Sequence, residues 1–179
     1  RNSEATEGTV ILTVYQSMGK GHGGNRWISE SGLNLLFSVI LRPDFILAER
    51  QFFLSMCVSG AIQDFIMPFA GPVRIKWPND ILLQGKKVAG ILIENTIRNQ
   101  NLHTSVIGIG VNINQTEFPA DLPNPNSLAL AAGRKFDLSK SLNLLLRSLE
   151  VHIDRFYEER YAEIKTFYLN NLHGLNEWA

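Results

Sequence analysis

The chain has 179 residues, 45% of them hydrophobic, and its 17 Lys and Arg residues balance 17 Asp and Glu residues. That length suffices for one substantial hydrophobic core, so we expect a single domain. The balanced charge excludes a generally basic surface of the kind that binds nucleic acid, and we expect no nucleic-acid partner.

The single cysteine, Cys57, excludes an intrachain disulfide, and its apolar neighbours indicate a buried helix position. We find no apolar run that looks long enough to span a bilayer and no signal peptide at the N-terminus. These features predict a cytoplasmic protein without a membrane partner.

Hydrophobic periodicity predicts the secondary structure in chain order. The strand candidates are residues 9–15, 34–41, 73–77, 81–83, 88–94 and 105–113. The helix candidates are residues 45–69, stopped near Pro68, then 139–157 and 158–169, with a loop at 119–125. The pattern favours an α/β (α+β) fold with a mixed β-sheet flanked by helices.

A glycine-rich loop, residues 16–27, follows the first predicted strand. Glycines let the backbone approach a ligand and present N–H groups to an anion, and Lys20, His22 and Arg26 add cationic side chains. The spacing is neither that of a P-loop nor that of a dinucleotide fingerprint. The alternative is a flexible hairpin tip. Trp27 fits a core anchor as well as a stacking surface for a base.

The segment 76–80, Lys-Trp-Pro-Asn-Asp, places cationic, aromatic, amide and carboxylate groups at five positions of a specialised turn. A predicted hairpin follows and should bring Asp80 and Lys87 together at its two arms. A carboxylate beside an ammonium suits an ATP-using reaction, because one can help hold a divalent ion and the other can neutralise an anion. The alternative is a surface salt bridge.

Four ordered motifs resemble the catalytic domain of the biotin–protein ligases, also called biotin–[acetyl-CoA-carboxylase] ligases or holocarboxylase synthetases. The first is the glycine-rich loop at 19–27, and the second is the intact Lys-Trp-Pro-Asn-Asp at 76–80. The third is Lys-Val-Ala-Gly-Ile-Leu-Ile-Glu at 87–94, and the fourth is Gly-Ile-Gly-Val-Asn-Ile-Asn at 108–114. Four motifs at suitable separations make the resemblance specific.

The resemblance covers nearly the whole chain and implies one catalytic domain over residues 1–179, with a fold related to class II aminoacyl-tRNA synthetases. It also implies that two parts found in the family are missing from this sequence. We expect that the N-terminal edge, where the family has a Ser-Thr-Asn segment, and a small C-terminal domain lie outside this sequence.

The resemblance further implies a two-step reaction. Biotin and ATP, with Mg²⁺, give biotinyl-5′-adenylate and pyrophosphate, and a lysine of a biotin carboxyl carrier protein then takes the biotin. Many members of the family dimerise through sheet edges, so a homodimer is an open expectation.

The family motifs imply roles for individual residues. The catalytic residues would be Lys87, for charge neutralisation, and Asp80, which is also the candidate metal ligand. The biotin-binding residues would be Gln16, Gly19, Lys20, Gly21 and Gly90. The ATP- or adenylate-binding residues would be His22, Asn25, Arg26, Trp27, Lys76, Asn79 and Asn112. Lys76 has the alternative of pointing away from the site.

The loop departs from the family pattern at Lys20, His22 and Asn25, which stand where arginine is common. Charge and bidentate hydrogen bonding are both reduced, and an imidazole is only partly protonated at neutral pH. Arg26 lies one place from the expected third arginine and can partly replace it. We therefore expect weaker retention of the adenylate than in an all-arginine loop, unless His22 simply faces solvent.

Two other functions stay open. A lipoate ligase or octanoyl transferase shares the fold and the acyl-transfer chemistry, although the intact motif at 76–80 favours biotin. A non-catalytic biotin- or carrier-binding module is the second alternative, because the loop is altered. Adenylate formation distinguishes an enzyme from such a module.

Overall fold

The computed structural model describes residues 5–175, which contain eight strands and four α-helices. The strands are β1 (Thr9–Thr13), β2 (Gly19–Lys20), β3 (Arg26–Trp27), β4 (Leu35–Leu41), β5 (Val73–Lys76), β6 (Asp80–Leu83), β7 (Lys86–Arg98) and β8 (Asn101–Val111). The helices are α1 (Gln51–Ala70), α2 (Leu128–Ala132), α3 (Leu138–Tyr157) and α4 (Tyr161–Asn171).

Six strands form one sheet in the order β1-β4-β8-β7-β6-β5, and β2 pairs with β3 in a separate small hairpin. Every ladder between these strands is antiparallel. Parallel pairing occurs at isolated bridges, from Ile75 to Leu172 and from Lys87 to Pro125. The predicted architecture of a β-sheet flanked by helices is confirmed, and within residues 5–175 parallel pairing is limited to these isolated bridges.

The bounds of several elements differ from the prediction for local reasons. Residues 45–47 precede α1 and are not helical, because Leu47 pairs with Asn101 and Ile46 donates its N–H to Pro43. The third and fourth helices are separated at 158–160, where Glu159 has φ 53°. The predicted division of 139–169 into two helices after residue 157 is confirmed. Helix α2 and the β2–β3 hairpin were too short to be predicted.

Helix α1 is the centre of the core, with ten buried residues distributed around its circumference. A helix that is apolar on all sides is typical of a buried element. By length and composition, the 23-residue segment Ala48–Ala70 could cross a membrane, so the expectation that no apolar run is long enough is wrong. More than half of it is buried inside the fold, however. The core accounts for its composition.

Cys57 lies in this helix at 1% exposure. Burial raises the pKa of its thiol to about 12, so the thiol is protonated at neutral pH. The predicted buried position is confirmed.

Helices α3 and α4 pack against α1 on the same side of the protein. Helix α3 begins after Asp137, whose Oδ1 accepts from Lys140 N–H at 2.9 Å, the usual arrangement at an N-cap. Its buried His152 reaches Asp64 of α1, with Nε2 and Oδ2 2.8 Å apart. Gly60 of α1 allows this approach, because a Cβ there would lie 2.7 Å from His152 Cε1.

We expect Gly60→Ala to destabilise the protein, although alanine normally favours a helix by about 1 kcal/mol over glycine. The added methyl would meet His152 and also Phe167, 3.0 Å away, and overpacking of this kind costs about 1–3 kcal/mol. Urea unfolding measures the change, with Ser55→Ala in the same helix as the control. A Gly60→Ala variant as stable as the parent would contradict this packing.

Candidate functional site

One row of paired residues crosses the sheet and carries the site. The register places Leu36, Gly110, Gly90 and Asp80 directly opposite one another in successive strands, β4, β8, β7 and β6. Residues directly opposite one another share a face of the sheet. The two central positions are glycines, so this face has a depression beside the carboxylate of Asp80.

The next row, two residues along, consists of Ser38, Gly108 and Leu92. Residues i and i+2 of a strand lie on the same face, so Ser38 and Gly108 extend the depression. Together the two rows give a groove with a floor of small residues. Its volume is about 530 Å³, within the ordinary range for small-molecule sites.

The glycine-rich loop borders the groove through the β2–β3 hairpin. The indole of Trp27 lies against the two central glycines. A Cβ on Gly110 would be 2.5 Å from Trp27 Cε2, and one on Gly90 would be 3.0 Å from Trp27 Cζ3. The indole Nε1 is buried without a hydrogen-bond partner in the described part of the chain. Only glycines allow this ring so close to the sheet.

Asp80 and Lys87 form an ion pair at the end of the groove, with Lys87 Nζ 2.7 Å from Asp80 Oδ1. Their side chains are 21% and 37% exposed, respectively. Lys87 Nζ also lies 5.8 Å from the centre of the Trp27 ring. Oδ1 has no hydrogen-bond partner besides this ion contact within residues 5–175. The pair is the predicted one, and it belongs to a cavity and not to the open surface.

A β-bulge places Lys87 on the groove face. Ile81 pairs with Ala89, but the next residue, Leu82, pairs with Lys87, so Val88 is the extra residue of β7. A regular ladder would have placed Lys87 opposite Leu83, on the face of Ile81, which is buried in the core. Bulges redirect side chains in this way beside functional sites.

Comparison with known proteins identifies the family. A model of the biotin/lipoate A/B protein ligase family matches residues 1–112, more than half of the chain. The chain belongs to this family. A bifunctional ligase/repressor, BirA, from Bacillus subtilis is 36% identical over 169 residues, which are 92% of this chain and 49% of that protein. The chain spans about half the length of the curated relatives it matches.

Two further relatives carry ligase names. The biotin–[acetyl-CoA-carboxylase] ligase of Mycobacterium tuberculosis is 29% identical over 151 residues, 82% of this chain and 54% of that protein. The solved structure of the Aquifex aeolicus biotin protein ligase in complex with biotin and ATP superposes with a TM-score of 0.81 at 27% identity. That match covers 94% of this chain and 70% of the Aquifex chain. The fold is therefore that of the biotin protein ligases.

Most residues that the ligase motifs singled out line the groove. They are Gln16, Gly19, Lys20, Gly21, His22, Asn25, Arg26, Trp27, Asn79, Asp80, Lys87 and Gly90. The structure thus brings the glycine-rich loop at 16–27 together with the hairpin at 79–90, which is far from it in the sequence. Their individual ligand contacts stay predictions.

Two predicted nucleotide-binding residues do not line the groove. Lys76 pairs with Asp80 across the β5–β6 ladder and is exposed at the sheet edge. Asn112 is 5% exposed and donates its Nδ2 hydrogen to Asn126 O at 3.0 Å. Asn112 therefore makes a buried hydrogen bond behind the hairpin that carries Lys87, and its side chain does not face the groove.

The sequence analysis overlooked several residues of the groove floor, namely Leu36, Ser38, Leu92, Glu94, Gly108 and Gly110. Gly108 and Gly110 stood in a quoted ligase motif, and their spacing of two already placed them on one face of a strand. For Leu36 and Ser38 no signal in the sequence indicated which face of β4 meets the groove.

We expect Gly110→Ala to displace Trp27, because the new methyl would lie within 2.9 Å of three indole atoms. With Trp77 and Trp178 replaced by Phe, Trp27 becomes the single emitter, and its fluorescence should shift to longer wavelength and be quenched more by acrylamide. Gly108→Ala is the matched control, since its nearest contact is Leu92 O at 3.3 Å. Equal spectra for Gly110→Ala and the parent would refute this packing.

Proposed function

We propose that this chain is the catalytic domain of a biotin–protein ligase. It activates biotin with ATP to biotinyl-5′-adenylate and transfers the biotin to a lysine of a biotin carboxyl carrier protein. The observation that carries the proposal is the Asp80–Lys87 ion pair at the end of a small-residue groove bordered by a cationic, glycine-rich loop. The likeness to a solved ligase complex with biotin and ATP supports it.

In the first step, a carboxylate oxygen of biotin attacks the α-phosphorus of ATP, and pyrophosphate leaves. The two reactants are both anions, so their repulsion is the main physical obstacle. Lys87 is the cation nearest the buried end of the groove and neutralises charge as the oxygen and phosphorus approach. A preorganised ammonium in a partly water-excluded site stabilises the transition state more than an ammonium in water does, because its surroundings need no reorganisation during the reaction.

In the second step, the amine of the carrier lysine attacks the acyl carbon of the adenylate, and AMP leaves. The attacking amine must lose its proton, and Asp80 is the carboxylate beside the reacting centre. Its Oδ1 contacts Lys87 Nζ at 2.7 Å, and an ionised carboxylate has further lone pairs with which to orient a second donor. Within this proposal Asp80 orients the incoming lysine and Lys87 stabilises the departing phosphate.

The groove floor suits a ring lying flat on the sheet. The Trp27 indole covers Gly90 and Gly110, so a bicyclic ligand would approach the backbone at Gly108, where Ser38 offers a hydroxyl to the ring. Lys20, His22 and Arg26 from the loop then face the phosphate side. Biotin is the proposed acid because its ureido group has both donors and an acceptor to satisfy.

We include Mg²⁺ in the proposal. Among the described residues there is no group of three or more His, Cys, Asp or Glu side chains that could hold a metal ion by themselves. Mg²⁺ is nevertheless often held by one or two carboxylates together with substrate phosphates, and Asp80 fits that kind of site. Bound there, the ion would supply charge neutralisation for the leaving pyrophosphate.

For the carrier, we propose docking along the outer edge of β7. Strand β6 ends its pairing at Gly90, and Asn79 occupies the next place, exchanging hydrogen bonds of 3.0 Å with the backbone of Ile91. Farther along, Ile93 and Asn95 border a shallow pocket that shares His22 and Asn79 with the groove. A strand added at a free edge gains main-chain hydrogen bonds next to the reacting centre.

A homodimer and a cytoplasmic location are kept as predictions. Strand β1 is the outer strand at the opposite end of the sheet and exposes Ile11 and Leu12, which offers a second copy a place to add. The use of ATP as a substrate agrees with the cytoplasm.

We expect Lys87→Ala to lower biotin-dependent ATP–pyrophosphate exchange by at least about 100-fold, the size of effect seen when one preorganised donor is removed. Lys86→Ala is the matched control, because the neighbouring lysine is exposed and lies outside the groove. Exchange with lipoate instead of biotin would indicate the lipoate-ligase alternative. No exchange with either acid would favour the binding-module alternative.

We expect His22→Arg to slow the release of biotinyl-adenylate about 1.4- to 5-fold, the range of a single exposed ion pair. The arginine adds a permanent charge at the mouth of the groove, where His22 is exposed. Release is followed by filter binding of the radiolabelled adenylate, with His22→Gln as the uncharged control. Release from His22→Arg as fast as from His22→Gln would show that this position does not retain the intermediate.

A further inference from the structure

The bulge at Val88 leaves backbone groups of β7 that β6 does not satisfy. Buried backbone N–H and C=O groups need partners, and here the segment 124–126 provides them. Lys87 N donates to Asn124 O at 2.8 Å, and Asn126 N donates to Lys87 O at 2.7 Å. The carbonyl of Val88 accepts from Asn112 N at 2.9 Å.

Asn126 contacts both arms of the hairpin. Besides its bond to Lys87 O, its Nδ2 donates to Leu83 O at 3.1 Å. Its own carbonyl accepts from Asn112 Nδ2, and its Oδ1 accepts from Ser127 N at 2.9 Å. The residue is 5% exposed and does not line the groove. One buried asparagine thus joins β6, β7 and the end of β8.

We propose that Asn126 is a positioning residue that acts through Lys87. It fixes the bulged register and thereby keeps the ammonium of Lys87 beside Asp80 in the groove. The proposal rests on the proposed function for its kinetic consequence, while its geometric part concerns Lys87 alone.

The bulged register of β7 needs contacts that stabilise it. Without the bulge, Lys87 would pair with Leu83 and take the core face, because a shift of one residue moves a side chain to the opposite face. In the bulged arrangement, Val88 has no partner in β6, so one regular residue pair between β6 and β7 is lost. In this arrangement Asn126 donates to Leu83 O and to Lys87 O at the same time.

The kinetic test is a double-mutant cycle in the ATP–pyrophosphate exchange assay. Because small misplacements of a catalytic group are costly, we expect Asn126→Ala to lower kcat about 10- to 100-fold with little change in KM for biotin. In a Lys87→Ala background the same substitution should add less than about twofold, since coupled residues are not additive. Asn143→Ala, on the exposed face of α3, is the control. Equal losses in both backgrounds would overturn the proposal.

A second test needs no catalysis and therefore separates this proposal from the proposed function. Trace acetylation followed by mass spectrometry compares the reactivity of Lys87 with that of exposed Lys86. The ion pair shields Lys87, so Asn126→Ala should raise the Lys87-to-Lys86 ratio at least about twofold, as expected when a local structure opens. An unchanged ratio would refute the positioning role. Should Asn126→Ala fail to fold, the isosteric Asn126→Asp removes the donor to Leu83 O and is measured in the same way.

Discussion

The register of four antiparallel strands is the constraint on which the site depends. Because side chains alternate with a period of two, one register of β4, β8, β7 and β6 places Leu36, Gly110, Gly90 and Asp80 on a single face. A slip of one residue in β7 or β8 would replace a glycine of this face with a buried aliphatic residue. The apolar core on the opposite face, built around α1, holds this register because every slip would also expose core residues.

The bulge at Val88 is a local exception to this register, and the proposed role of Lys87 depends on it. It shifts the pairing of Lys87 and Lys86 by one residue and leaves Ala89 and Gly90 on their regular faces. Its cost in ladder hydrogen bonds is offset by Asn112, Asn124 and Asn126, which come from β8 and the following loop. The catalytic hairpin is thus stabilised from outside the hairpin, and its stability is linked to that of the loop at 124–126.

The electrostatics of the groove differ between its two ends. At the inner end, Lys87 and Asp80 are partly buried and in contact, so their interaction is less screened by salt. At the outer end, Lys20, His22 and Arg26 are exposed on a loop, where each charge contributes little by itself. In the proposed reaction, catalysis would belong to the inner pair and retention of the phosphate to the loop.

The sequence by itself determined the family, the order of the main elements and about half of the residues that line the groove, because motifs at 19–27, 76–80 and 87–94 combine unusual residue types at fixed spacing. It also predicted that Asp80 and Lys87 meet, since a tight hairpin joins them. Only the tertiary structure decided which face of β4 carries Ser38, that Asn112 lies behind the hairpin, and that Val88 is the bulged residue. These depend on pairing between strands distant in the chain, and no local pattern specifies the partner of a strand or its register.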